Sequence, residues 1–102
     1  MIAEIVRDEW ITKTTLRTET NEEWALDYYL QTFDGEDGGT LYGLKVAKGV
    51  PDNEPTEWEE TGAVTESRDE ALTMLHAFAH GSVTPMALIE IADDWLSQCT
   101  EC

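Results

Sequence analysis

Two histidines four residues apart, His76 and His80, and two cysteines three apart, Cys99 and Cys102, are the side chains of this sequence best suited to hold a metal. Two of each make the donor set of a structural zinc site, but their placement argues against one. His76 and His80 fall with Asp69 and Thr73 on the polar side of a helical pattern, and Ala77 stands where a helical zinc protease carries its glutamate. The short link Gly81-Ser82-Val83 turns the chain back on itself. A following helix then carries the cysteines about 20 Å from His80, at about 1.5 Å per residue. Cys99-Thr100-Glu101-Cys102 has redox spacing, yet such thiols are activated at a helix N-terminus and these trail a helix C-terminus. Asp34, Glu36 and Asp37 hint at calcium, but Lys45 occupies the twelfth position of that loop, where an EF-hand needs glutamate. No phosphate-binding glycine loop or nucleophile elbow occurs. No metal, no cofactor and no catalysis are expected.

Charge is the outlying property. The 102 residues hold 22 Asp and Glu against 6 Lys and Arg, a net charge of −16. Solubility needs a magnitude of only about 2–8 in a small domain, and the excess costs stability through self-repulsion. It excludes direct nucleic-acid binding and anionic membrane surfaces, both repelled by the same sign. The acids gather in three places: Glu19, Glu22 and Glu23; Asp34, Glu36 and Asp37; and Asp52, Glu54, Glu57, Glu59 and Glu60, with Trp58 among them and no base between. If 56–61 is extended, Glu57 and Glu59 share a face about 6.7 Å apart, close to twice the roughly 3.4 Å charge spacing along one DNA strand. Glu90, Asp93 and Asp94 add a negative stripe on the last helical pattern. An exposed tryptophan beside carboxylates suits a binding hot spot, although core or partial burial is the expectation for each of Trp10, Trp24, Trp58 and Trp95.

These residues must be positioned by one domain, 1–102, with strands over 1–66, a helical hairpin over 67–98 and a tail at 99–102. β-branched residues predict a strand from Trp10 to Thr18, with Ile2 to Val6 a separate strand or an extension of it. Trp24, Leu26, Tyr28 and Leu30 alternate with Ala25, Asp27, Tyr29 and Gln31, the period of a strand with one buried face. A turn over 34–39 leads to a third strand at Tyr42, Leu44 and Val46, and an edge strand is expected over 56–65. Ser67 and Glu70 predict a reciprocal capping box. Ala71, Leu72, Leu75, Phe78 and Ala79 form an apolar stripe, and Gly81 is the expected C-terminal cap. Thr84 and Pro85 open a second helix whose Leu88, Ile91 and Trp95 should be buried. The expected fold class is α+β: an antiparallel sheet of three to four strands, one face covered by two C-terminal helices.

No apolar run approaches the roughly 20 residues needed to span a bilayer. Residues 1–10, with Glu4, Arg7, Asp8 and Glu9, do not read as a leader. Two cysteines near one end make no disulfide framework, which points to the bacterial cytoplasm.

Tyr42-Gly43-Leu44-Lys45-Val46, followed by Val83-Thr84-Pro85, Leu88, Ile91, Asp94, Trp95 and Leu96, resembles a family of small uncharacterised Firmicutes proteins. That resemblance implies a few strands ending in a helix introduced by Val-Thr-Pro, and no activity. In size and charge the chain also resembles phage anti-CRISPR proteins and other DNA mimics. The function expected from this is an inhibitor that binds a basic protein, such as a Cas nuclease, with carboxylates in place of phosphates. The alternative is a small bacterial regulatory or housekeeping domain. Oligomeric state is not legible.

Overall fold

The structure, a computed structural model, describes residues 5–100. Four strands, β1 (Ile5–Arg17), β2 (Glu23–Asp34), β3 (Thr40–Gly49) and β4 (Glu57–Glu60), precede two helices, α1 (Arg68–His80) and α2 (Pro85–Thr100). The strands form one antiparallel sheet in chain order. The expected architecture is observed, with four strands.

The alternation in β2 decides which face the helices cover. Leu26, Tyr28 and Leu30 are fully buried with Leu44 and Val46 of β3. Against them lie Ala71, Met74, Leu75 and Phe78 of α1 and Leu88 and Ala92 of α2. Trp95 meets Phe78 edge to face, with ring centroids 5.9 Å apart. Two polar contacts fasten the hairpin to the sheet: the Thr14 hydroxyl donates to the Ala79 carbonyl at 2.8 Å, and the Tyr28 hydroxyl to the Val83 carbonyl at 2.8 Å.

Several local expectations need correction. Of the two alternatives for the first residues, extension holds: Ile5 and Val6 belong to β1, which is continuous over the described residues. The edge strand is shorter than 56–65: β4 ends at Glu60, and Thr65 rejoins β3 only through a bridge to Tyr42. Ser67 caps α1 by accepting from the Glu70 amide at 3.1 Å, but its own amide donates to the Thr65 hydroxyl, so the box is not reciprocal. Gly81 caps the C-terminus of α1 as expected, its amide donating to the Ala77 carbonyl, but at φ −88°; the left-handed residue there is Ser82, at φ 55°. Ile91 is 36% exposed, because α2 turns Leu88 and Ala92 inward and leaves Ile91 at the margin of the stripe. Cys99 lies in the last turn of α2 rather than in a tail, and Cys102 lies outside the described residues. His76 and His80 are exposed on α1, as their polar-side placement predicts.

Burial pushes the Tyr28 phenol up to about 12 from 10.0. The fold favours the neutral phenol, so its contribution is complete below the unfolded value near 10 and is lost as pH rises through about 12. Urea unfolding at pH 7 and pH 11.5 should show a steep alkaline loss that Tyr28→Phe reduces. The same variant should cost about 1–2 kcal/mol at pH 7, by stranding the Val83 carbonyl.

Candidate functional site

The face of the sheet opposite the helices is built from residues that alternate with the core. The register sets Trp10, Tyr29, Lys45 and Glu60 in one row across all four strands, and Asp27, Ala47 and Trp58 in the next. One end of this face is not open. Gln31 and Phe33 are buried there, and Ala25 is buried at the opposite end beside Gly49, so β2 buries residues on both faces where one was expected. Toward β4, the cause is a backbone crossing. The Gly62 carbonyl passes over Gly43 so closely that any Cβ at Gly43 would collide with it.

A second crossing closes the other end. The loop between β3 and β4 folds back over Gly49, where a Cβ would lie 2.9 Å from Pro55 Cα and 3.1 Å from the Glu54 carbonyl oxygen. Between the crossings lies a shallow groove of about 330 Å³, lined by Tyr29, Lys45, Ala47, Glu54, Pro55 and Trp58. Trp58 is 60% exposed and Trp10, on the same face, is 54% exposed, so the expected burial of these two does not occur. β4 is one edge strand of the sheet, and β1 is the opposite edge.

Electrostatics in the groove is net acidic. The Lys45 ammonium lies 5.1 Å from the centre of the Tyr29 ring and 3.5 Å from the Asp8 carboxylate. Trp10 Nε1 donates to Asp27 at 3.0 Å. The Tyr29 phenol is raised from its usual value first by burial, then by Asp27; Lys45 opposes this, and Asp8 adds to it. The neighbouring carboxylates thus add to the rise despite an ammonium directly over the ring.

The Asp52 to Glu60 cluster differs from its expectation in one respect. Glu57 and Glu59 share a face, as an extended segment requires, but Glu57 is opposite Lys48 and pairs with it at 3.7 Å. The cluster is free of bases along the chain, not in space. Glu60 faces the other way and accepts from Gln31 Nε2 at 2.6 Å. Gln31 is fully buried, and its Oε1 has no partner among the described residues. Glu60 is therefore structural as well as acidic. Glu60→Ala should cost about 1–3 kcal/mol in urea unfolding by stranding the amide, and Glu60→Gln should recover most of it.

The three acidic clusters do not form one surface. Glu19, Glu22 and Glu23 lie at the β1–β2 turn, and Asp52 and Glu54 lie at the same end of the sheet in the β3–β4 loop. Asp34, Glu36 and Asp37 lie at the opposite end of the twelve-residue β2, about 40 Å away at some 3.4 Å per residue. Some of the acids serve their own turns: Glu23 pairs with Arg17 at 3.0 Å, and Asp37 accepts from the Gly39 amide at 3.1 Å. What the structure brings together is Trp58 and Glu54 with Tyr29, Asp27, Lys45 and Trp10, four residues not expected in a site from the sequence. The signal was present: Asp27 and Tyr29 alternate with the buried face of β2.

No group of three or more potential metal ligands occurs among the described residues. No helix of the described residues is long and apolar enough to cross a membrane. A family model described as a family of unknown function, DUF6514, matches residues 7–98. No curated protein and no solved structure matches.

Proposed function

The chain belongs to the DUF6514 family, whose function is unknown, and we propose that it is an acidic docking protein that covers a basic, nucleic-acid-binding surface of another protein. The observation that carries this is Trp58, an exposed aromatic on a short edge strand, next to Glu57 and Glu59 in sequence and lining one groove with Glu54. Aromatic anchors with a polar rim dominate the energetics of protein interfaces. A net charge of −16 selects a cationic partner and raises the rate of encounter. Covering such a surface excludes nucleic acid from it, which makes the protein an inhibitor. A Cas nuclease, with its positively charged guide–target channel, is one effector class that fits.

Affinity capture from bacterial lysate at low and high salt tests this. The recovered proteins should be basic and nucleic-acid-binding, and should be lost at about 0.5 M salt, where the screening length falls well below 10 Å. Recovery of neutral or acidic proteins that resist salt would favour a regulatory domain that is acidic for other reasons.

A further inference from the structure

We propose that the groove on the open face of the sheet receives an arginine side chain of the partner, an inference that rests on the docking function above. Two observations favour this occupant.

The first is shape. The groove is open along its length and shallow, with Ala47 and Pro55 giving an apolar bed for a methylene stem and the Trp58 indole giving a flat wall. Glu54 adds a carboxylate to the lining. The glycine crossings at Gly43 and Gly49 hold the two ends with backbone rather than mobile side chains.

The second is charge already satisfied and charge left over. Both lysines of β3 lie over aromatic rings, Lys45 over Tyr29 at 5.1 Å and Lys48 over Trp24 at 4.8 Å. Each also has a carboxylate, Asp8 for Lys45 and Glu57 for Lys48. Cation–aromatic pairing backed by a carboxylate is thus the pattern of this sheet on both faces. Among the described residues, Trp58 is the ring at the groove with no cation over it, and Glu54 the lining carboxylate with no base. One more cation completes the pattern.

Arginine fits better than lysine. A guanidinium is planar and weakly hydrated, stacks on an indole, and offers a fork to a carboxylate, whereas an ammonium is a compact, strongly hydrated charge. A second copy of this chain is disfavoured by mutual repulsion at −16 each.

The test uses capped oligoarginine and oligolysine peptides of equal length, titrated into the full chain by calorimetry, with the Trp58 indole N–H followed by NMR. Oligoarginine should bind about tenfold more tightly than oligolysine, with the Trp58 signal shifting. Trp58→Ala and, separately, Glu54→Gln should weaken oligoarginine binding more than oligolysine binding and so reduce that preference. Trp58 is exposed and Glu54 is in a loop, so neither variant threatens the fold. Equal binding of both peptides, with Trp58→Ala silent, would overturn the arginine site and leave acidic docking standing. Binding of neither peptide would remove both.

Discussion

Replacing Glu54, Glu57 and Glu59 together by lysine is expected to weaken binding of a cationic partner by about a hundredfold at low salt, with little change in stability. Glu57 and Glu59 flank Trp58 along β4 and point to the other face of the strand, Glu54 lines the groove with Trp58, and all three are exposed. Each reversal turns an exposed attraction into a repulsion, a change of about 1 kcal/mol per site where solvent screens the charges. A combined loss of about 3 kcal/mol is about a hundredfold in affinity. Stability should change by less than about 1 kcal/mol, because the Glu57–Lys48 pair is a surface one and worth little. Glu60 is left out deliberately: its bond to the buried Gln31 would make a reversal there a folding defect. Calorimetric titration with oligolysine at low salt, beside urea unfolding of the same variant, reads both quantities.

Gly43→Ala should produce the largest loss of stability of any single methyl addition here, about 3 kcal/mol in urea unfolding. The new Cβ would meet the Gly62 carbonyl, and the Phe33 ring at 3.0 Å. The obstacle at Gly62 is backbone, anchored on either side by the Thr61 amide to the Leu44 carbonyl and the Val64 amide to the Tyr42 carbonyl, so it cannot swing aside. Such a loss is a large part of the roughly 5–15 kcal/mol available to a small domain. Gly49→Ala should cost less, about 1–2 kcal/mol, because the loop it displaces has more freedom. It should instead move Glu54 and Pro55 and remove the preference for arginine. Contrasting stability and binding effects at these two glycines would show that the crossings hold different things, a strand edge and a groove wall.

The strands and helices were legible because their patterns are local. Leu26, Tyr28 and Leu30 alternate visibly, and Thr84-Pro85 opens α2 where a cap and a first-turn proline should. The acidic character was legible from composition alone. The groove was not, because it depends on register. Tyr29, Lys45 and Trp58 are brought onto one face only when β2, β3 and β4 pair in a particular alignment. The two backbone crossings are equally hidden: Gly43 reads as an ordinary strand residue until Gly62 is seen passing over it. The cluster at Asp52 to Glu60 looked uniform in one dimension. In three, Glu57 is opposite Lys48, Glu59 accepts from the Glu60 amide and Glu60 holds Gln31, leaving Asp52 and Glu54 as its carboxylates least committed to the fold.

Competition for a nucleic-acid-binding protein tests the docking function most directly. A labelled DNA duplex is bound to a Cas nuclease, or to whichever basic protein affinity capture recovers, and the chain is titrated in while fluorescence anisotropy is followed at several salt concentrations. The wild type should displace the DNA, less effectively as salt rises, and the Glu54, Glu57 and Glu59 reversal should displace it about a hundredfold less well at low salt. Failure of the wild type to displace DNA from any basic partner at low salt, or equal displacement by wild type and reversal, would contradict docking through the Trp58 surface.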